Sequence, residues 1–351
     1  MQNKLAIAII MLLPGLFAQA QSCLPGGITF TTQAQVDNFQ TANPGCTMIE
    51  GALTVQGANI TNLNNLSVIQ SVGGDFLIVN NDALTSLNGL NNLTTIGGAG
   101  RIQNNPSLTN IDGLQSLTAA RGDFFYLSDS PLLTSLSGLG SLDSVAGIFQ
   151  IWEHPLITDL SGLENLTFVG AAFAIFRNAN LESLDGLENL ATVVGDLRIY
   201  ENDDLSDLAA LDHPINMQGA LVITDNPNLS DCEVEAVCNY VADPVTFVAI
   251  SGNDGDCASE TLVLDDCLSP TSEAELQARI SIAPNPVADV VRVSSDGLAI
   301  EGVQIRDIAG RLVYQTQADF EEINLGELAD GVYFFEIFTE DQAVVKRLVK
   351  Q

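Results

Sequence analysis

The sequence has 351 residues, and its 44 acidic residues outnumber the 12 basic ones, which gives a net charge of −32 at neutral pH. A field of that sign repels nucleic acid and anionic membrane surfaces, so we expect neither as a partner. Because the chain contains only two histidines, we do not expect a histidine-based catalytic triad or a metal site with several histidine ligands.

The first twenty residues are typical of a secretion signal. Lys4 supplies a positive charge, residues 5–17 form a short apolar run, and Ala18 and Ala20 provide a small-residue cleavage site. The run is too short to span a membrane, and no later stretch approaches the about 20 apolar residues that a span needs. We therefore predict a signal peptide over residues 1–20 and no membrane span.

Residues 52–229 repeat one pattern eight times. An apolar marker residue recurs every 24 residues, with a single step of 25, at Ile60, Leu84, Leu108, Leu133, Ile157, Leu181, Leu205 and Leu229. Further apolar residues follow each marker at every third position. Five repeats also carry a glycine in this segment, namely Gly89, Gly113, Gly138, Gly162 and Gly186. Since no single repeat can bury its apolar side alone, the repeats are expected to stack into one continuous core.

Each repeat is predicted to contain one short strand before its marker. Positions 76 and 78 alternate with 77 and 79, a period of two that is typical of a strand with one buried face. The spacing of three after the strand predicts a flatter side that is closed by glycine turns, without a long helix. We predict an all-β fold, a right-handed parallel β-solenoid of about eight coils whose strands lie about 4.8 Å apart.

An asparagine recurs three residues before most markers. It is found as Asn81, Asn105, Asn178, Asn202 and Asn226, while Ser130 and His154 take the same position in two other repeats. In a parallel stack these side-chain amides can bond to turn backbone that would otherwise be buried without partners. We predict a structural ladder in which His154 is a substitute.

This repeat resembles the receptor L domains, which are leucine-rich-like β-helices found in the insulin and epidermal growth factor receptors and in fungal wall proteins. The residues that carry the resemblance are Gly195-Asp196-Leu197-Arg198-Ile199-Tyr200-Glu201-Asn202, followed by Leu205 and Leu208. It covers roughly residues 50–230 and implies the fold. It implies no particular ligand, because the family binds different partners through different surfaces.

The six cysteines lie at the two ends of the solenoid, as Cys23 and Cys46 before it and Cys232, Cys238, Cys257 and Cys267 after it. An oxidising destination and this placement argue for disulfides that cap the exposed ends. We predict Cys23–Cys46 at the first end. The last four cysteines allow three pairings, of which we favour Cys232–Cys257 with Cys238–Cys267. A four-cysteine zinc site is the alternative, but its usual close-spaced pairs are missing.

After the repeats the pattern changes twice. The apolar spacing between Cys232 and Ala242 predicts a short helix over the last coil. Residues 269–279 are rich in Ser, Pro and Thr at their start and read as a linker. We therefore predict a capped solenoid domain over residues 21–268, a linker over 269–279 and a separate C-terminal domain over 280–351.

Short alternating strands and turn pairs such as Ala309-Gly310 predict that the C-terminal domain is a small antiparallel β-sandwich. Over residues 280–351 it resembles the C-terminal sorting domain of the type IX secretion system of Bacteroidota. The matching residues are Pro284, Asn285, Pro286, Gly310, Arg311, Gly331, Lys346, Arg347 and Lys350. The resemblance implies type IX secretion machinery and a sorting peptidase as partners, and a route through the periplasm to secretion or the outer cell surface. The alternative is a fibronectin-like spacer.

No catalytic constellation stands out. The glycines follow the coil period and form no phosphate loop, and no pair among the many carboxylates is singled out for glycoside cleavage. Acidic residues crowd one turn and one loop, at Glu201, Asp203, Asp204, Asp207, Asp254 and Asp256. Their oxygens would suit calcium, although neither run matches a complete calcium loop. We predict no enzyme and no resident cofactor, with calcium as the alternative.

The outward strand positions predict a candidate binding face. One column carries Trp152, Phe176 and Tyr200, and the column beside it carries Tyr126, Arg101 and Arg198. An aromatic, arginine-edged patch on an acidic protein suits a protein or glycan ligand. The alternative interpretation is that stacked aromatics only stabilise neighbouring strands.

Together these patterns predict an exported binding or adhesion module that recognises a protein or a glycan through the outward face of the solenoid. One alternative is a structural surface-layer component without a discrete ligand. The other is a polysaccharide-active enzyme.

Overall fold

The computed structural model describes residues 21–242, 247–268, 279–295, 298–318, 320, 322–339 and 343–351. The predicted signal peptide and positions 269–278 of the predicted linker lie outside the described residues. The chain divides into two compact units between Leu264 and Asp265. Within the described ranges, no helix is long and apolar enough to cross a membrane.

Two parallel sheets form the first unit. Its strands are β1 (Gln21–Cys23), β2 (Ile28–Phe30), β3 (Cys46–Ile49), β4 (Leu53–Val55), β5 (Ser71–Val72), β6 (Phe76–Val79), β7 (Thr95–Ile96), β8 (Gly100–Gln103), β9 (Ala119–Ala120), β10 (Phe124–Ser128), β11 (Ser144–Val145), β12 (Ile148–Trp152), β13 (Phe168–Val169), β14 (Phe173–Phe176), β15 (Thr192–Val193), β16 (Leu197–Tyr200), β17 (Asn216–Met217), β18 (Leu221–Thr224) and β19 (Val248–Ser251). The long sheet has the order β19-β18-β16-β14-β12-β10-β8-β6-β4-β2, and the short sheet contains the odd-numbered strands β1 to β17 in sequence order. The prediction of an all-β parallel solenoid is confirmed.

Helices are short in this unit. The α-helices are α1 (Gln33–Asp37), α2 (Phe39–Ala42), α3 (Glu235–Val241) and α4 (Glu260–Leu268). Single 3₁₀ turns span Asn64–Leu66, Asp112–Leu114, Ser137–Leu139, Ala209–Leu211 and Gly255–Ala258. α1 begins at Thr32 with a capping box to Gln35. α3 confirms the short helix predicted after Cys232. The two-residue strands of the short sheet lie on the side of each coil that the sequence predicted only to be flat.

Every coil contributes one layer to a continuous core. In the coil that begins with β6, the residues Leu84, Leu87, Leu90 and Leu93 are all fully buried. Inside the long sheet, the rings of Phe125 and Phe149 lie 5.7 Å apart, and those of Phe149 and Phe173 lie 5.0 Å apart. The apolar side of each coil is therefore buried only by its neighbours, as expected for a solenoid.

The repeated glycines permit the close approach of successive coils. A Cβ at Gly113 would overlap the carbonyl oxygen of Leu87, and one at Gly186 would overlap that of Leu160. Gly186 also has a φ of +111°, which is open to glycine and strained for other residues. These positions therefore set the distance at which one turn lies on the next.

All five predicted ladder asparagines are buried and bonded along the stack. Asn178 donates through Nδ2 to the carbonyl oxygen of Ile151 at 3.1 Å, and its backbone N–H donates to Oδ1 of Asn202 at 3.1 Å. Asn226 repeats the first bond one coil further on, to Ile199 at 3.1 Å. Asn253, which the sequence analysis missed, continues the ladder and accepts from the N–H of Asn226 at 3.0 Å.

The ladder is interrupted at Ser130 and His154. The backbone N–H of His154 still donates to Oδ1 of Asn178 at 3.1 Å, and its Nδ1 donates to the carbonyl oxygen of Ser130 at 3.3 Å. Its Nε2 is buried and has no hydrogen-bond partner among the described residues. Burial lowers the pKa of His154, so the ring is held neutral.

The residue before each ladder position has a left-handed backbone. These residues, which we call the left-handed column, have φ between +51° and +59° and are Asn80, Asn104, Asp129, Glu153, Arg177, Glu201 and Asp225. Asn and Asp adopt this conformation more readily than Glu or Arg does. Every long-sheet strand from β6 to β18 thus ends in the same sharp turn.

The solenoid is longer than the eight predicted repeats. β2 pairs with β4 and β19 pairs with β18, so one further strand extends the long sheet at each end. A disulfide joins Cys23 to Cys46 and another joins Cys232 to Cys257, with Cα atoms 5.6 and 5.2 Å apart.

Cys238 and Cys267 are disulfide-bonded as well, and no free cysteine occurs in the described part of the chain. The prediction of disulfide bonds is confirmed, and because all four of the later cysteines are oxidised, they do not form a zinc site.

The second unit contains two antiparallel sheets. Its strands are β20 (Ile280–Ala283), β21 (Val290–Ser295), β22 (Gly302–Asp307), β23 (Leu312–Thr316), β24 (Ile323–Asn324), β25 (Gly331–Phe338) and β26 (Ala343–Lys350). Sheets of order β20-β21-β24 and β23-β22-β25-β26 share one core, in which Val291 of the first lies with Val303 and Phe335 of the second. The predicted small antiparallel sandwich is confirmed.

Candidate recognition surface

The outward face of the long sheet carries the predicted aromatic column. Trp152, Phe176 and Tyr200 are direct register partners on β12, β14 and β16. The isoleucine that precedes each of them is fully buried, so the three aromatic side chains belong to the outward set. All three are half-buried in the outward face. The predicted register is confirmed.

The three rings stack on one another along the solenoid axis. The ring centroids of Trp152 and Phe176 lie 5.4 Å apart with planes at 6°, and those of Phe176 and Tyr200 lie 4.7 Å apart at 7°. Both faces of Phe176 are therefore covered by rings, while Trp152 and Tyr200 each stack on it through one face. Burial is also the main reason that the pKa of Tyr200 is raised.

Two further rings on β10 lie beside the column, at outward positions that are not in register with Trp152. Tyr126 meets Trp152 edge to face with centroids 5.6 Å apart, and Phe124 stacks on Tyr126 at 4.3 Å. We call Phe124, Tyr126, Trp152, Phe176 and Tyr200 the aromatic cluster. Phe124 was missed by the sequence analysis, although the single 25-residue step ends in its repeat and a count of two residues back from Tyr126 reaches it.

Arg101 lies beside the cluster on β8, in register with Tyr126. Its guanidinium carbon lies 5.2 Å from the ring centroid of Phe124 and 5.7 Å from that of Tyr126, which is a cation–π arrangement. Its Nε is buried without a hydrogen-bond partner. Within the described ranges Arg101 makes no ion pair with a carboxylate.

Arg198 occupies the same outward column as Arg101 but has a different environment. Its Nε donates to Oδ2 of Asp196 at 3.0 Å, and a second nitrogen pairs with the same oxygen. The pKa of Asp196 is lowered by the backbone N–H of Ala220 and by Arg198. The structure therefore does not bring Arg198 into the aromatic cluster as an open cation, in contrast to Arg101.

A charged row runs beside the cluster along the left-handed column. Arg177 pairs with Glu201 at 2.5 Å and with Glu153 at 3.9 Å. Further along, Asp129 accepts hydrogen bonds from Gln103 at 3.0 Å and from Ser128 at 2.8 Å. Prolines at 106, 131 and 155 complete the lining of a shallow groove here.

Asp129 and Glu153 are neighbouring carboxyl groups whose pKa values depend on each other. The hydrogen bond to Asp129 is the main reason that the pKa of Glu153 is raised. Burial alone would raise the pKa of Asp129, but hydrogen bonds from Glu153, Gln103 and Ser128 together lower it. The two carboxyl groups therefore shift in opposite directions, with the pKa of Glu153 raised and that of Asp129 lowered.

Several of the residues predicted as a sorting signal lie together at the last strand, where Gly331 is the register partner of Lys350. Asn285 clamps the last strand, because its Nδ2 donates to the carbonyl oxygen of Arg347 at 2.8 Å and its Oδ1 accepts from the N–H of Val349 at 3.0 Å. Lys350 is buried and lies 3.8 Å from Asp289 and 3.9 Å from Asp330. Gly310 and Arg311 belong to the turn after β22, Gly331 begins β25, and Arg347 is exposed on β26.

The acidic runs considered for calcium do not converge on one point. Glu201 pairs with Arg177, Asp207 accepts from the N–H of Ala209, and Asp204 accepts from Asn228 at 3.4 Å. In the part of the chain that the structure describes, no group of three or more His, Cys, Asp or Glu residues is arranged to hold a metal ion.

Comparison with known families finds two matches. Residues 45–121 match the model of the Receptor L domain, and residues 281–351 match that of the Secretion system C-terminal sorting domain. Both families are non-catalytic domain families. A search of curated proteins finds no match.

The first match ends before Phe124, so the aromatic cluster lies outside it, although the same coil continues to β19. The second match indicates interaction with the type IX secretion machinery. The chain thus combines a solenoid similar to Receptor L domains with a C-terminal domain similar to type IX sorting domains, which indicates export to the cell surface or secretion.

Proposed function

We propose that this protein is an extracellular recognition module and that the aromatic cluster binds a protein partner. The observation that supports this most strongly is the cluster itself, five contiguous rings with an arginine on an otherwise acidic unit. Residues 21–268 hold 30 acidic residues against four arginines, a net charge of −26. Interface cores are enriched in Trp, Tyr, Phe and Arg and depleted in Asp and Glu.

The stacking geometry favours a protein over a neutral glycan. A sugar ring lies against an open aromatic face, but Phe176 is covered on both faces, by Trp152 at 5.4 Å and by Tyr200 at 4.7 Å. The centre of the stack thus offers no open ring face to a sugar, and a surface of several adjacent aromatic rings suits the side chains of a protein. From β8 to β16 the surface extends over about 19 Å, which is the length of a short extended peptide segment.

A second candidate function is supported by the same stack. Near-parallel rings on adjacent strands stabilise a sheet without any ligand. A structural surface component would therefore also have this column, but it would have no use for the half-buried Arg101 without a carboxylate.

A glycosidase is disfavoured at the carboxyl pair beside the aromatic cluster. Asp129 and Glu153 lie within hydrogen-bonding reach of each other. The catalytic carboxyl groups of glycosidases stand about 5 Å apart or more, so that the sugar or a water fits between them.

Binding of the full chain to an array of purified extracellular proteins and glycans tests the proposal. We compare wild type with Trp152→Ala and with Phe168→Ala, an aromatic residue of the short sheet that is 38 % exposed. We expect protein ligands that Phe168→Ala retains and Trp152→Ala loses. Binding that is equal in both variants, or ligands that are all neutral glycans, would contradict the proposal.

A further inference from the structure

Among the arginines of the outward face, Arg101 differs in having no acidic partner in the described part of the chain. Arg177 pairs with two carboxylates and Arg198 with one. Acidic residues are abundant in this unit, so the open state of Arg101 does not follow from their scarcity. Its two register neighbours are Leu77 and Tyr126, neither of which can neutralise it.

The surroundings of Arg101 hold its side chain in place. Phe124 and Tyr126 form an aromatic wall at 5.2 and 5.7 Å from the guanidinium carbon, and the two rings are fixed by stacking on each other at 4.3 Å. Such a wall orders the planar group before a ligand arrives and excludes water from one side of it. Only Nε is shut off from solvent, so the two Nη groups remain for a ligand.

From this arrangement we infer that Arg101 is a carboxylate-binding site, and that the protein partner places an Asp or Glu side chain on it. Two parallel N–H groups of a guanidinium match the two oxygens of a carboxylate. The aromatic wall lowers the local dielectric constant and so strengthens the ion pair. This inference rests on the proposed function, because it takes the aromatic cluster as the docking surface of that partner.

The acidic character of the whole unit gives this site a role in specificity. A partner with scattered acidic groups is repelled by the net charge of −26, while one correctly placed carboxylate gains the pair with Arg101. The surface therefore accepts an acidic side chain in one place only and disfavours it elsewhere on the unit.

The test uses a phage-displayed library of random dodecapeptides, selected on the full chain and depleted on Trp152→Ala. We expect the selected peptides to share an Asp or Glu. Replacement of that residue by its amide, or Arg101→Gln in the protein, should weaken binding about 10- to 30-fold, and the two changes together should weaken it little further. Arg101→Lys, which keeps the charge but not the fork, should fall between wild type and Arg101→Gln.

Arg121→Gln is the matched control, because Arg121 is exposed on the same unit, has no ion pair within the described ranges and has no aromatic wall. It should bind the selected peptides as wild type does. Unchanged thermal melting of Arg101→Gln shows that a loss of binding does not come from unfolding.

Two outcomes would overturn the inference without touching the proposed function. In one, the peptides depend on Trp152 but bind Arg101→Gln as well as wild type. In the other, oligogalacturonate, measured in parallel, binds in an Arg101-dependent manner while acidic peptides do not, which would make the occupant an acidic glycan. If no peptide distinguishes wild type from Trp152→Ala, the proposed function fails, and the inference fails with it.

Discussion

Trp152 and Phe176 lie face to face across two adjacent strands, with ring centroids 5.4 Å apart and planes 6° from parallel. Each ring covers a face that its neighbour would otherwise expose to water, so the pair stabilises the sheet and shapes the surface at the same time. A substitution in this column is therefore expected to change stability as well as the proposed binding, and an experiment must measure both.

We expect Trp152→Ala to lower the free energy of unfolding by about 2 kcal/mol, since the indole contacts both Phe176 and Tyr126. Trp152→Phe keeps a ring in the stack and should lose less than half of that. Urea denaturation checks the prediction. Equal losses for the two variants would show that the stacked ring is not the source of the stability.

His154→Asn should complete the ladder. The asparagine amide would donate to the backbone as its neighbours do, and the unpartnered Nε2 would be gone, so we expect a gain of about 1 kcal/mol at neutral pH. His154→Ala, which removes the ring without an amide, should lose stability instead. Denaturation of both variants at neutral pH decides the point, and a gain for the alanine would contradict the ladder explanation.

The same substitution should change the dependence of stability on pH. Burial lowers the pKa of His154 in the folded protein, so as the pH falls below about 6.5 the unfolded chain takes up a proton that the folded chain refuses. Wild type should therefore lose stability in this range relative to His154→Asn. Parallel curves of melting temperature against pH for the two proteins would contradict the expectation.

Glu153 gives a pH effect of the opposite sign. Its raised pKa means that its contribution to stability is present below 4.5, its unperturbed value, and is lost as the pH rises through the folded value. The amide of Glu153→Gln can donate to Asp129 at every pH. The difference in melting temperature between this variant and wild type should therefore move in favour of the variant as the pH rises from mildly acidic to neutral. The weak exposed contact of Glu153 with Arg177 contributes little to this difference.

Gly100 takes the core position that phenylalanine holds in neighbouring coils, and a Cβ there would overlap the ring of the fully buried Phe125. We expect Gly100→Ala to destabilise the protein by about 1–3 kcal/mol through overpacking. Gly26→Ala, where no atom lies within 4 Å of the added carbon, is the control and should be close to neutral. A neutral Gly100→Ala would mean that Phe125 can move aside.

Deletion of Lys346–Gln351 should trap the protein in the periplasm, but it also removes Leu348 from the core of the second unit. The double variant Lys346→Gln, Arg347→Gln leaves that core intact and tests whether the secretion machinery recognises these two basic side chains. We expect this double variant to accumulate in the periplasm in folded form, as measured by cell fractionation and protease resistance. Normal surface display of the double variant would show that these two charges are not part of the sorting signal.

Much of the fold could be predicted from the sequence because the repeat has a fixed register. The 24-residue step brings Ile151, Ile175 and Ile199 to equivalent positions, and one buried face then determines the other. The last coil escaped prediction because Asn253 follows Asn226 by 27 residues, which breaks the 24-residue repeat. The two-residue strands of the short sheet are too brief to show any periodicity.

The candidate surface was predictable in its columns and not in its geometry. Sequence spacing places Trp152, Phe176 and Tyr200 on adjacent strands, but ring orientation depends on side-chain torsions that neighbours select together. Likewise, the sequence places Arg101 and Arg198 in one column. Only the structure shows that Arg198 forms an ion pair with Asp196, whereas Arg101 lies against aromatic rings.

The constant register also fixes the distances along the outward face of the solenoid. Each coil advances by one strand spacing, about 4.8 Å, so a change in coil number is a change in distance along the surface. Removal of the whole coil 155–178 would bring Trp152 beside Tyr200 and shorten the reach from Arg101 to Tyr200 by that one increment, with the same asparagine contacts above and below. If the aromatic cluster binds a ligand, the gain or loss of one coil changes the length of the bound segment by one strand spacing. Every retained turn keeps its own side chains and its own partners.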